Sequence, residues 1–110
     1  MYKTIVALTV ALTATTASAE INYDYENSAH TADMICIAAY GVGRDLTHGV
    51  DNNTYSALTD LQNSLILKYA YSKQLNKHVE TRKMLLKMRG IDALSATIKE
   101  CAAAPKASLF

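Results

Sequence analysis

The residues with the most definite chemistry in this chain are its two cysteines, Cys36 in "TADMICIAAY" and Cys101 in "ATIKECAAAPKASLF". A catalytic thiol needs a basic partner that holds it as thiolate. Neither cysteine has a histidine close to it in sequence. A disulfide needs only an oxidising compartment, where two cysteines in a small domain are more often bridged than free. The one intramolecular pairing is Cys36–Cys101, 65 positions apart. Two separate buried thiols or a bridge between chains are the other arrangements. A loop of that length restricts the unfolded chain by about 4 kcal/mol in the chain-entropy description.

Other reactive types are scattered. His30, His48 and His78 fall in a polar arm, a loop and near a helix start. None forms an H-E-x-x-H pair or a His/Cys cluster at zinc spacing, so they read as solvated or capping residues, with no metal or cofactor expected. "GVGRD" at 41–45 lacks the phosphate-loop lysine and follows a helical pattern, not a strand. No nucleophile elbow occurs. "KHVETRKMLLKMR" at 77–89 has the composition of an anion-binding or partner surface, but a solvated basic face over a core is the favoured reading. The expectation is a non-enzymatic protein that binds another protein.

The compartment is read from the N-terminus. "MYKTIVALTVALTATTASA" places Lys3 before an apolar run and ends in Ala17-Ser18-Ala19, the pattern of a secretory signal with a small-residue cleavage site. Its apolar run is shorter than the roughly 20 residues of a membrane span, and no later run is longer. Cleavage near Ala19 gives a periplasmic or secreted product without a stable membrane anchor. The formal net charge of +1 falls to about zero once Lys3 is removed. Nothing in that balance attracts nucleic acid.

The elements that carry these residues read as all-α, a small four-helix domain with one intramolecular disulfide. Residues 20–30, "EINYDYENSAH", form a polar arm, exposed or loosely docked, and 31–110 form the helical domain. Thr31 caps a first helix in which Met34, Ile37, Ala38 and Val42 share a stripe, and Gly41 and Gly43 weaken its end. A second helix, capped by Thr54 or Asn53, runs from Tyr55 to about Asn76 with Leu58, Leu61, Leu65 and Tyr69 inward and Leu67 and Tyr71 widening the apolar surface. At about 1.5 Å per residue it would be a spine of roughly 30 Å. A third helix covers Lys77–Arg89, with Val79, Leu86 and the Met84/Leu85/Met88 group as its apolar face, and a bent continuation of the second helix is the alternative. Asp92 caps a fourth helix that places Leu94, Ile98 and Cys101 at i, i+4, i+7 and reaches Ala103, where Pro105 stops it. The predicted core is Leu58, Leu61, Leu65, Tyr69, Leu94 and Ile98.

Taken together, the signal, the polar arm, Cys36 in the first helix and "IKECAAAP" at 98–105 with Leu109 beyond it resemble the HdeA/HdeB group of periplasmic acid-stress chaperones. That resemblance implies a disulfide-tied helical protein, often a homodimer at neutral pH, that loosens in acid and shields unfolded clients. With its carboxylates protonated near pH 2, residues 20–110 would carry a charge of about +14, from ten Lys/Arg, three His and an amino terminus. "MICIAAY" ahead of a long helical body is also similar to the exported immunity proteins that block type VI secretion amidases, which are cell-wall hydrolases. Under that likeness the polar loop 46–53, with Leu46, His48, Asp51, Asn52 and Asn53, is the candidate plug, its bland reading being a connector.

Overall fold

The computed structural model describes residues 21–108, with side chains through residue 102. The predicted export signal and its cleavage site near Ala19 lie outside the described residues. The chain forms α1 (Ser28–Thr47), α2 (Asn52–Ile66), α3 (Lys73–Arg89) and α4 (Ile91–Ser108). Among the described residues the only β pairing is an isolated parallel bridge between Ile21 and Tyr69.

α1 starts three residues ahead of the expected Thr31. Asn27 is the cap, its side-chain oxygen accepting from the amides of Ala29 at 2.9 Å and His30 at 3.3 Å. Such a cap satisfies amides that have no partner inside the helix. The helix also passes through both glycines to Thr47. Every residue from Ile37 to Gly43 is buried, so this stretch has no solvent face and lies in the middle of the molecule. α1 packs on α2, α3 and α4, and α3 packs on α4.

The glycines make that central position possible. A Cβ at Gly43 would stand 2.8 Å from Leu58 Cδ1 and 3.2 Å from Ile98 Cδ1, and one at Gly41 would stand 2.9 Å from Gln62 Nε2. Their role is close approach of neighbouring elements, not a weakened helix end.

α2 corrects several expectations. Its cap is Asp51, whose carboxylate accepts from the Thr54 amide at 3.1 Å and the Thr54 hydroxyl at 2.7 Å. Leu58 and Leu65 are buried, but Leu61 is 39% exposed and is not core. Gln62 takes the inward position beside it. Gly41 leaves room for the Gln62 amide to donate to the Ile37 carbonyl at 3.0 Å, while its oxygen accepts from Arg44 at 2.7 Å. Arg44 also donates to the Tyr55 hydroxyl at 2.9 Å. A buried polar residue so paired avoids the cost of lost hydration.

The 30 Å spine does not exist. α2 ends at Ile66, Leu67 and Tyr71 turn outward, and Tyr69 reaches the core from a connector instead of from a helix. Ser72 then caps α3 by accepting from the Leu75 amide at 3.1 Å. Tertiary anchoring of Tyr69 overrides a helical propensity that no glycine or proline interrupts.

α3 buries Leu75, Val79 and Leu86, while Met84 and Met88 face solvent and Leu85 is only partly covered. Gly90, at φ 98°, ends it, and α4 begins at the next residue. Leu94 and Cys101 are buried and Ile98 packs against the core, half-covered. α4 runs past Pro105 to Ser108, so the proline does not end it at Ala103 as expected. The disulfide joins Cys36 of α1 to Cys101 of α4 with a Cα–Cα separation of 5.6 Å.

Candidate functional site

Residues 21–27 are pinned across the molecule and are not a loose arm. The Ile21 amide donates to the Lys68 carbonyl at 2.8 Å, and the Ala70 amide donates to the Ile21 carbonyl at 2.9 Å. The Thr31 hydroxyl donates to the Tyr25 carbonyl at 2.8 Å. Between these points Tyr23 is buried.

Tyr23 enters a cluster of rings drawn from three places. His30 comes from the first turn of α1, Tyr69 from the α2–α3 connector and His78 from α3. Tyr23 stacks on His30 with centroids 6.3 Å apart and meets Tyr69 edge-on at 6.1 Å. His30 meets Tyr69 at 5.2 Å, and Tyr25 meets His78 at 5.7 Å. Edge and offset contacts at such spacing favour aromatic pairs beyond simple burial.

Two histidine nitrogens in this cluster are hydrogen-bonded, and the two contacts differ in what they require of the ring. The Asp24 backbone amide donates to His30 Nδ1 at 3.0 Å. An amide can only donate, so Nδ1 must be bare and the ring neutral, with its proton on Nε2. A proton on Nδ1 would put two donors face to face. His78 Nδ1 and the Tyr23 hydroxyl lie 3.1 Å apart, a pair that survives with either group donating. His30 is therefore the demanding member. Asp24 and Asp33 supply negative charge around the cluster, and Lys68, Lys77 and Arg82 supply positive charge.

Below the rings, Asp33 accepts from the Tyr69 hydroxyl at 2.5 Å and from Lys68 Nζ at 3.1 Å. Burial, and then the bond to Asp33 and its charge, hold the Tyr69 phenol well above its ordinary pKa, so it stays a donor. Burial and then the charge of Asp24 raise Tyr23 too.

No protein-family model, curated protein or solved structure matches this chain.

The predicted plug residues separate. Leu46, exposed, lines a cleft with Val42, Leu86 and Leu94. His48 sits 5.0 Å from the Tyr55 ring, Asp51 is committed to capping, and Asn52 and Asn53 are exposed in the first turn of α2. Hydrogen bonds from Thr54 hold the Asp51 carboxyl below its ordinary range. Among the described residues no group of three His, Cys, Asp or Glu is placed to hold a metal ion, and no helix is long and apolar enough to cross a membrane.

The ring cluster was missed in the sequence because its members are far apart. Two signals were present. Tyr23 and Tyr25 alternate as in an extended segment, and His30 and Asp33 share a helix face at i, i+3.

Proposed function

We propose that the protein is a small exported, non-enzymatic binding protein that holds unfolded polypeptides in acid, along the lines of the HdeA/HdeB group it resembles. The observation that carries this reading is the Asp24 amide on His30 Nδ1, a contact that requires an unprotonated ring. Imidazoles change charge between about pH 5 and 8. Acid therefore favours release of residues 21–27, which uncovers Tyr69 and the neighbouring core. Stronger acid removes carboxylate charge across the whole chain and leaves the cations in excess. The Cys36–Cys101 bridge limits how far α1 and α4 separate, and mounting positive charge keeps a complex with an aggregation-prone client soluble.

The test is light scattering of an acid-denatured enzyme with and without the protein. Suppression is expected at pH 2–3 and absent at pH 7. His30→Gln supplies a carbonyl acceptor at any pH and should shift the onset of suppression to lower pH. No suppression by the natural chain at pH 2–3 removes the reading.

One observation favours the immunity reading as an alternative. The turn after α1 is held by the Val50 and Asp51 amides, which both donate to the Thr47 carbonyl at 3.0 Å, yet Val50 at its tip is 83% exposed. A rigid apolar tip suits a plug for the cleft of a cell-wall hydrolase. Recovery of one such hydrolase from a periplasmic extract at pH 7, lost with Val50→Asp, would support that role.

A further inference from the structure

Charge is unevenly shared in this molecule. α3 carries Lys73, Lys77, Arg82, Lys83, Lys87 and Arg89 against Glu80 alone, whereas the rest of residues 21–102 holds eight Asp/Glu and three Lys/Arg. Among the described residues, Lys83 is the only one of these six cations in an ion pair, at 3.8 Å from Asp45 and 3.7 Å from Glu80.

Clefts flank the same helix. One of about 270 Å³ has an apolar floor that includes Leu86, Ile91 and Leu94, and Lys87 on its rim. The other, about 170 Å³, has Met34 and Leu85 below and Lys77, His78 and Arg82 around it. Every charged side chain lining either cleft is a cation. Met84 and Met88 on the same helix are 60% and 78% exposed, and Ile91 of the first cleft is 63% exposed. Lys77, Thr81, Met84 and Met88 share one helix face by their spacing.

We propose that this face of α3 docks an acidic polypeptide segment bearing apolar side chains. The apolar side chains enter the two clefts, and the carboxylates meet Lys77, Arg82 and Lys87. Charge complementarity selects the acid component. The apolar floors select against a purely electrostatic ligand, and the flexible, exposed methionines of the same helix adapt to varied side chains. Concave clefts take side chains in, whereas an anionic bilayer needs a projecting apolar face, and here Lys77 interrupts that face. The contact goes beyond acid-induced holding, because it forms when the partner's carboxylates are ionised, at neutral pH.

The experiment titrates the disulfide-bonded protein at pH 7 with a fluorescent 16-residue peptide of Glu and Leu at helical spacing. Parallel arms use polyglutamate of equal length and anionic phosphatidylglycerol vesicles. Binding of the Glu/Leu peptide is expected, weakening with salt, with amide shifts in a nuclear magnetic resonance spectrum centred on α3. Lys77→Gln with Lys87→Gln should weaken it by at least about fivefold, a loss of about 1 kcal/mol. Met84→Ser with Met88→Ser should weaken it while preserving the salt dependence. Lys99→Glu makes the same change in net charge on α4 and should leave affinity within twofold. Equal losses from the α3 and Lys99 variants, polyglutamate binding as well as the Glu/Leu peptide, or vesicle binding without peptide binding would each overturn the proposal.

Discussion

α1 is tethered twice within two turns, by different chemistry at each place. At Cys36 it is bonded to α4 through the disulfide, and at His30 and Asp33 it is bound to the arm and the α2–α3 connector through hydrogen bonds and stacked rings. The two sites are about 9 Å apart along the helix. The first is indifferent to protons. The second depends on a bare imidazole nitrogen. Under the proposed acid response the arm side of the molecule yields first, and the bridge fixes what remains associated afterwards.

The largest effect should come from removing the bridge. Cys36→Ala with Cys101→Ala is expected to lower unfolding free energy by about 4 kcal/mol, read from urea titration, and by the same amount at pH 7 and pH 5. A loss that changes across that interval would mean that the tethers are coupled. Tyr23→Ala comes next, at about 3 kcal/mol, the lower end for truncating a buried aromatic. Hydrogen exchange should then show the Ile21 and Ala70 amides unprotected while the amides of α4 change little.

A smaller effect sharpens the comparison further. Between pH 7 and 5 the natural chain should lose protection at Ile21 and Ala70, and His30→Gln should retain it, a difference of about 1 kcal/mol for one hydrogen bond. Alkaline pH gives another sign. Burial raises Tyr40, and burial with neighbouring negative charge raises Tyr23 and Tyr69. The folded state thus binds these protons more tightly than the unfolded chain. Their contribution is complete below the ordinary phenol value near 10 and declines as pH rises beyond it. Tyrosinate absorbance should show three phenols ionising late, and the urea midpoint should drop above pH 10.

The smallest effect belongs to the α2 cap. Asp51→Ala should lower Tm by a few degrees at pH 7. Because the folded-state carboxyl is held below its ordinary range, that difference should persist at pH 4 and disappear as pH falls through the lowered value.

What the sequence made legible was local. Helical periodicity located the bodies of all four helices, and two cysteines read together with the predicted export signal pointed to the bridge now seen between α1 and α4. The misses arose where contacts across the chain decided the outcome. Leu61 and Gln62 are neighbours, and helical spacing favours the leucine as core, but Ile37 and Arg44 on another helix give the glutamine its partners where Gly41 leaves room. Tyr69 fits a helical stripe, yet its bond to Asp33 and the pairing with Ile21 hold it in a connector. The ring cluster joins residues as much as 55 positions apart, and no short window of sequence contains it.

The backbone of α2 lies close to that of α1 and, among the described residues, to that of no other helix. The remaining three helices close on one another, and a covalent bond secures two of them. Partial unfolding therefore has a natural seam. Residues 52–66 could swing away as a cooperative unit, baring Leu58 and Leu65 together with Gly43 and Gly41, which Leu58 and Gln62 cover, while a cross-linked remnant keeps its shape.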